Sequence, residues 1–164
     1  MSKVQVAIFM GSKSDLPLMR ETAAVLTKLG VSYDMTITSA HRTPDRTEEL
    51  IKSFEASGGE VFIAGAGGAA HLAGVIAART VLPVIGVPID SSPLQGWDAL
   101  LATVQMPGGI PVACMAVGKA GAKNAGIFAA QIIARKDPEL AKRLMAYKED
   151  MAKNVIVDAE QIDA

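Results

Sequence analysis

Short strand-like segments alternate with stretches of helical spacing along this chain, and that alternation constrains its fold more than any other feature. Val4 to Met10 is apolar apart from Gln5 and stops at Gly11, so it reads as a buried strand of the parallel type. Ser32 to Thr38 alternates as a half-buried second strand. Glu60 to Ala64, Pro83 to Pro88 and Val112 to Val117 read as strands three to five. The first helix runs from the Gly11–Asp15 loop to Leu29, with Leu18, Met19, Ala23, Val25 and Leu26 inward and Gly30 as its stop. Pro44 to about Ser57 carries Leu50, Ile51 and Phe54 on one face. Further helices are expected after His71 to about Thr80, over Trp97 to Val104, and over Lys123 to Arg135. Such spacing implies three α/β/α layers: a parallel five-stranded sheet with helices on both faces and right-handed crossovers.

No linker, repeat or charge block divides the 164 residues, which reads as a single domain over 1–164 with a core of about 3–135. A helix over Glu139 to about Val157, within an extension of about 138–157, stands outside the alternation. Its Leu140, Leu144, Tyr147 and Met151 form a stripe that either packs on its own domain or docks on a neighbouring subunit.

The charge pattern excludes several partners. Sixteen basic and 17 acidic side chains leave a formal net charge of −1, which offers no field for nucleic acid or an anionic membrane. No apolar run approaches the ~20 residues of a membrane span. The lone Cys114, in an apolar run, reads as a buried thiol in a reducing compartment. No signal peptide is visible, and the expectation is a cytoplasmic protein.

Three loops should emerge together at the carboxyl edge of the sheet, where open α/β folds bind ligands. After strand one, Gly11-Ser12-Lys13-Ser14-Asp15 offers hydroxyls, helix-start amides and a carboxylate suited to sugar hydroxyls. The alternative is that Ser14 or Asp15 merely caps the helix. After strand two, Ser39-Ala40-His41-Arg42-Thr43-Pro44 brings an imidazole that exchanges protons near neutrality beside a guanidinium that grips anions. Thr43 and Pro44 read as the N-cap and first position of a helix. After strand three, Gly65-Ala66-Gly67-Gly68-Ala69-Ala70-His71 clears side chains from a flat ligand, or else serves close helix–sheet packing. Neither a P-loop nor a dinucleotide fingerprint is present, which argues against ATP and NAD. Two histidines without a cysteine cluster give no metal-ligand spacing. Cys114 offers no nucleophilic triad, so proton transfer on a small polar anion remains.

The three loops, together with Pro83-Val84-Ile85-Gly86-Val87-Pro88 and Val104 to Val112, resemble the PurE family of N5-carboxyaminoimidazole ribonucleotide mutases of purine biosynthesis. The likeness runs from about Val6 to Ile133. Ala73 stands where the family usually has proline, Ala99 replaces a frequent serine, and the Ser91–Trp97 loop varies. The resemblance implies a flavodoxin-like, doubly wound subunit in a homo-octamer, with the C-terminal helix on a neighbour. It implies a carboxyl-shifting isomerase without a cofactor or metal, acting on a small ribonucleotide. Functional coupling to the ATP-dependent synthetase that makes this substrate would follow. By carry-over, His41 is the proton carrier and Ser12, Asp15 and Arg42 bind the nucleotide. Asp15 then faces the ribose hydroxyls and Arg42 the phosphate. Ser14, Ser39, Gly65, Ala66, Gly67, Gly68 and Leu72 are further contacts, and His71 supports the site. The direct CO2-using carboxylase of the same family and a non-enzymatic nucleotide-binding module are the alternatives.

Overall fold

In the computed structural model, which describes residues 4–162, five parallel strands lie in the order β2-β1-β3-β4-β5. These are β1 (Val6–Met10), β2 (Tyr33–Ile37), β3 (Val61–Gly67), β4 (Val84–Ile89) and β5 (Ala113–Cys114). The helices are α1 (Leu16–Lys28), α2 (Pro44–Ala56), α3 (Leu72–Ala77), α4 (Trp97–Val104), α5 (Lys119–Ala134) and α6 (Pro138–Glu160). This is the flavodoxin-like strand order, whose direction reverses between β1 and β3. Residue 3, where the sequence places the start of the core, lies outside the described residues.

The period-two alternation of each strand sorts side chains between two cores. Val6, Ile8 and Met10 join Met19 and Leu26 of α1, the alanines of α5, and Leu140 and Leu144 of α6. Ala7 and Phe9 join Phe62 and Ala64 of β3, Ile51 and Phe54 of α2, and Ile76 of α3. Small residues let α5 approach α1 closely. A methyl at Gly126 would press on the Thr22 carbonyl and Val25, and the buried Thr22 hydroxyl donates to the Ala122 carbonyl at 2.7 Å.

Several element ends differ from the sequence expectation. β3 continues through Gly67 because β4 pairs with it as far as Gly67↔Ile89. β5 shrinks to two residues, paired only with Ile85 and Gly86. Pro88 has no amide to extend that ladder. α5 starts four residues earlier than expected, after Gly118 at φ +77°, and α3 stops at Ala77. Cys114 is half-buried rather than enclosed, and desolvation still pushes its thiol above the ordinary range.

The first part of the α6 stripe packs on its own domain. Asp137 caps it through the Leu140 amide at 3.0 Å, and Arg143 Nε donates to the Leu29 carbonyl at 2.8 Å. Leu140 and Leu144 are buried in the core of their own subunit, whereas Met151, Val155 and Ile156 are exposed. Among the described residues, no helix is long and apolar enough to cross a membrane.

Candidate active site

The strand register brings the three loops together. Met10 lies between Ile37 and Gly65, so β2, β1 and β3 end at one level. The Gly11 amide donates to the Gly65 carbonyl and the Thr38 amide to the Met10 carbonyl, at 3.3 and 2.9 Å. A cavity of about 360 Å³ opens above this junction, within the usual range of small-ligand sites.

The first loop turns through a single 3-10 turn at Lys13–Asp15, which Ser12 caps by accepting from the Ser14 amide at 3.3 Å. The Ser14 hydroxyl reaches Ser12 Oγ at 2.9 Å and Asp15 Oδ1 at 3.3 Å. Asp15 occupies the N-cap position of α1 but its side chain makes no capping bond. It is buried and lines the cavity. Desolvation raises its pKa above the ordinary carboxylate value, opposed by the Ser14 hydroxyl, the Ser12 amide, the Arg42 charge and the Gly11 amide. A carboxylate at this wall can accept further hydrogen bonds from a ligand that enters the cavity.

The second loop is stapled by hydroxyls. Thr43 sits at the N-cap of α2, yet it makes no capping bond. Its Oγ1 instead accepts from the Ser39 amide at 3.0 Å and donates to the Ser39 carbonyl at 3.1 Å. Buried Thr38 and Thr47 join hydroxyls at 2.8 Å beneath it. Ser39 Oγ accepts from the Arg42 amide at 3.2 Å and from Arg42 Nε at 3.4 Å. Arg42 Nη2 donates to the Gly11 carbonyl at 2.9 Å, so the guanidinium bridges the first two loops with donors to spare.

The third loop carries two left-handed residues, Gly68 at φ +61° and Ala70 at φ +46°. The Ala70 amide closes the turn onto the Gly67 carbonyl at 3.2 Å. His71 then begins α3, and its Nδ1 lies 2.7 Å from His41 Nε2, with the two rings nearly perpendicular at 84°. One ring must donate and the other accept, so the contact selects tautomers as well as orientation.

Ser12, Ser14, Asp15, Ser39, His41, Arg42, Ala66, Gly67, His71 and Leu72 all line the cavity. Gly65 and Gly68 do not. A methyl at Gly65 would strike Met19 Sδ, which makes Gly65 a packing glycine, while Gly68 has open space around its missing side chain. Ser91 lines the cavity without having been singled out as a site residue, and its hydroxyl occupies the room a Gly67 side chain would need. Its sequence signal is weak, one hydroxyl in a turn-rich loop. Thr38 and Thr47 carried no signal, since threonine is common in strands and helix starts. Ala73 and Ala99, two positions of departure from the family pattern, are buried in the core rather than set in the cavity wall.

A family described as AIR carboxylase matches residues 5–154. The chain belongs to that family. Its relatives include the N5-carboxyaminoimidazole ribonucleotide mutase of Thermotoga maritima, 53% identical over 97% of this chain and 92% of the relative. The mutase of Haemophilus influenzae is 52% identical over 96% of each chain, and that of Escherichia coli 50% over 93% and 90%. The crystal structure of Treponema denticola PurE superposes with a TM-score of 0.88 at 30% identity, covering 98% of this chain and 99% of that one. That protein shares this fold across nearly its full length.

Proposed function

We propose that this protein is an N5-carboxyaminoimidazole ribonucleotide mutase. It moves the carboxylate from the exocyclic nitrogen of the substrate to ring carbon C4. The observation that carries the reading is the His41–His71 pair set in a cavity at the β1/β3 reversal, beside a buried carboxylate and a bridging arginine. Near-half identity to mutases over almost the whole chain supports it.

His41 gives its proton to the carbamate nitrogen as the carbon–nitrogen bond breaks and CO2 is released. Ring carbon C4 attacks that CO2, forming the new carbon–carbon bond. His41, now neutral, removes the C4 proton and is restored. The reaction is an isomerisation, so its balance needs no ATP and no redox partner. One imidazole serves as acid and then base because its ring nitrogens can both carry and accept a proton. Keeping CO2 in the cavity holds the reactants at high effective concentration. Asp15 accepts from the ribose hydroxyls, Arg42 holds the phosphate, and His71 fixes the His41 ring. Ser12, Ser14, Ser39 and the Ala66–Gly67 backbone complete the contacts.

The subunits assemble as a homo-octamer in the cytoplasm, close in function to the ATP-dependent synthetase that supplies the carbamate. The exposed apolar face of distal α6, and Trp97, Leu101 and Val104 on α4, support assembly. Absorbance tests the activity: purified protein should convert the carbamate ribonucleotide without added ATP or metal. Product only from aminoimidazole ribonucleotide with added CO2 would make it the direct carboxylase instead.

A further inference from the structure

One hydroxyl at the cavity wall has no partner on the protein. Ser12, Ser14, Ser39 and Ser91 line the cavity, and the first three are bonded within their own loops. Ser91 is exposed and makes no hydrogen bond to any described residue. The pairing of Gly67 with Ile89 brings it there, because the chain leaving β4 carries Ser91 against the end of β3. A side chain at Gly67 would strike Ser91 Oγ. Gly67 does not take a left-handed φ, so its backbone does not call for glycine. The missing side chain instead makes room for the Ser91 hydroxyl and the Ile89 carbonyl. Asp90, next to Ser91 in the chain, lies against Gly96 and Gly118 and does not line the cavity.

Strand order sets which part of a ligand each wall residue meets. Arg42 follows β2, Asp15 follows β1, Gly67 and His71 close β3, and Ser91 follows β4, in the sheet order β2-β1-β3-β4. Each step across the sheet is about 5 Å. A carboxylated ribonucleotide presents its groups in a matching line: phosphate, ribose, heterocycle and carboxyl group. The Asp15 carboxylate repels the carboxylate of a ligand, and Ser91 lies on the far side of β3 from it. We infer that the Ser91 hydroxyl donates a hydrogen bond to the migrating carboxyl group, holding it beside the ring as carbamate, CO2 and C4 carboxylate in turn. Ser91 is then a substrate-binding residue that distinguishes a carboxylated from an uncarboxylated ribonucleotide. A neutral donor suits this path, since a fixed cation would stabilise the ground-state carboxylate and oppose its conversion to CO2. The inference rests on the mutase reading for the identity of the ligand.

Calorimetric titration of the full chain with aminoimidazole ribonucleotide and with its C4-carboxylated form tests this in wild type and Ser91→Ala. Ser91 is exposed, so the substitution leaves the core intact. Ser91→Ala should bind the carboxylated form about tenfold or more weakly, the scale of a lost hydrogen bond to a charged group, and the uncarboxylated form as wild type does. Turning over the carbamate substrate, Ser91→Ala should also release a larger share as aminoimidazole ribonucleotide and free CO2, after spontaneous loss is subtracted. Unchanged affinity for the carboxylated form, an equal loss for both ligands, or an unchanged share of released CO2 overturns the inference. A wild type that tells the two ligands apart through Ser91 yet gives no turnover counts against the mutase reading alone.

Discussion

His41 Nε2 and His71 Nδ1 stand 2.7 Å apart, joining the loop after β2 to the start of α3. A single proton between the two nitrogens ties the orientation of one ring to the tautomer of the other. His41→Asn should therefore lower kcat at least about 100-fold, the scale of a lost acid–base group. His71→Ala should lower kcat about 10- to 100-fold by freeing the His41 ring, with a smaller change in KM. His71→Asn, which keeps a hydrogen-bonding side chain, should recover part of that loss. Steady-state kinetics with the carbamate substrate read all three.

Asp15 is an ionisable side chain buried at the cavity wall. Burial raises its folded-state pKa above the ordinary value, so ionising it costs stability. Below about pH 4 the group is protonated in folded and unfolded chains alike, and the cost is absent. It grows as pH rises through the elevated folded value and is complete above it. Asp15→Asn should thus melt higher than wild type at pH 7, with the gain vanishing near pH 3. The same substitution should weaken ribonucleotide binding. Thermal melts across pH, paired with ligand titration, check both.

The Thr43 hydroxyl holds both the amide and the carbonyl of Ser39. Thr43→Val keeps the shape and removes those bonds, at about 1–2 kcal/mol of stability. The His41–Arg42 loop then loosens, and kcat/KM should fall about tenfold or more. Thr43→Ser should restore most of the activity, an outcome that lost packing alone would not give.

Gly65 tests packing rather than binding. A methyl there meets Met19 Sδ on α1, so Gly65→Ala should cost about 1–3 kcal/mol. Chemical denaturation measures it, and in a double-mutant cycle with Met19→Ala the two losses should be less than additive, because shortening Met19 removes the clash.

Distal α6 tests assembly. Val155 and Ile156 are exposed on the subunit, 69% and 59%. Val155→Lys with Ile156→Lys should leave the subunit fold intact and lower the mass in solution, as light scattering would show.

The layers, the parallel sheet and the three loops at its carboxyl edge were legible in the chain, because burial and turn chemistry act locally. Apolar runs from Val6 and Val61 read as buried strands, and Gly11, His41 and Gly68 follow strands that must end on the same edge. Strand limits were less legible. β5 is short because Pro88 lies in the neighbouring strand, and β3 is long because β4 runs beside it. Tertiary structure alone decided that His41 meets His71 and that Gly65 makes room for Met19. Each of these contacts joins residues whose distance depends on strand order and register, and no local pattern encodes that distance.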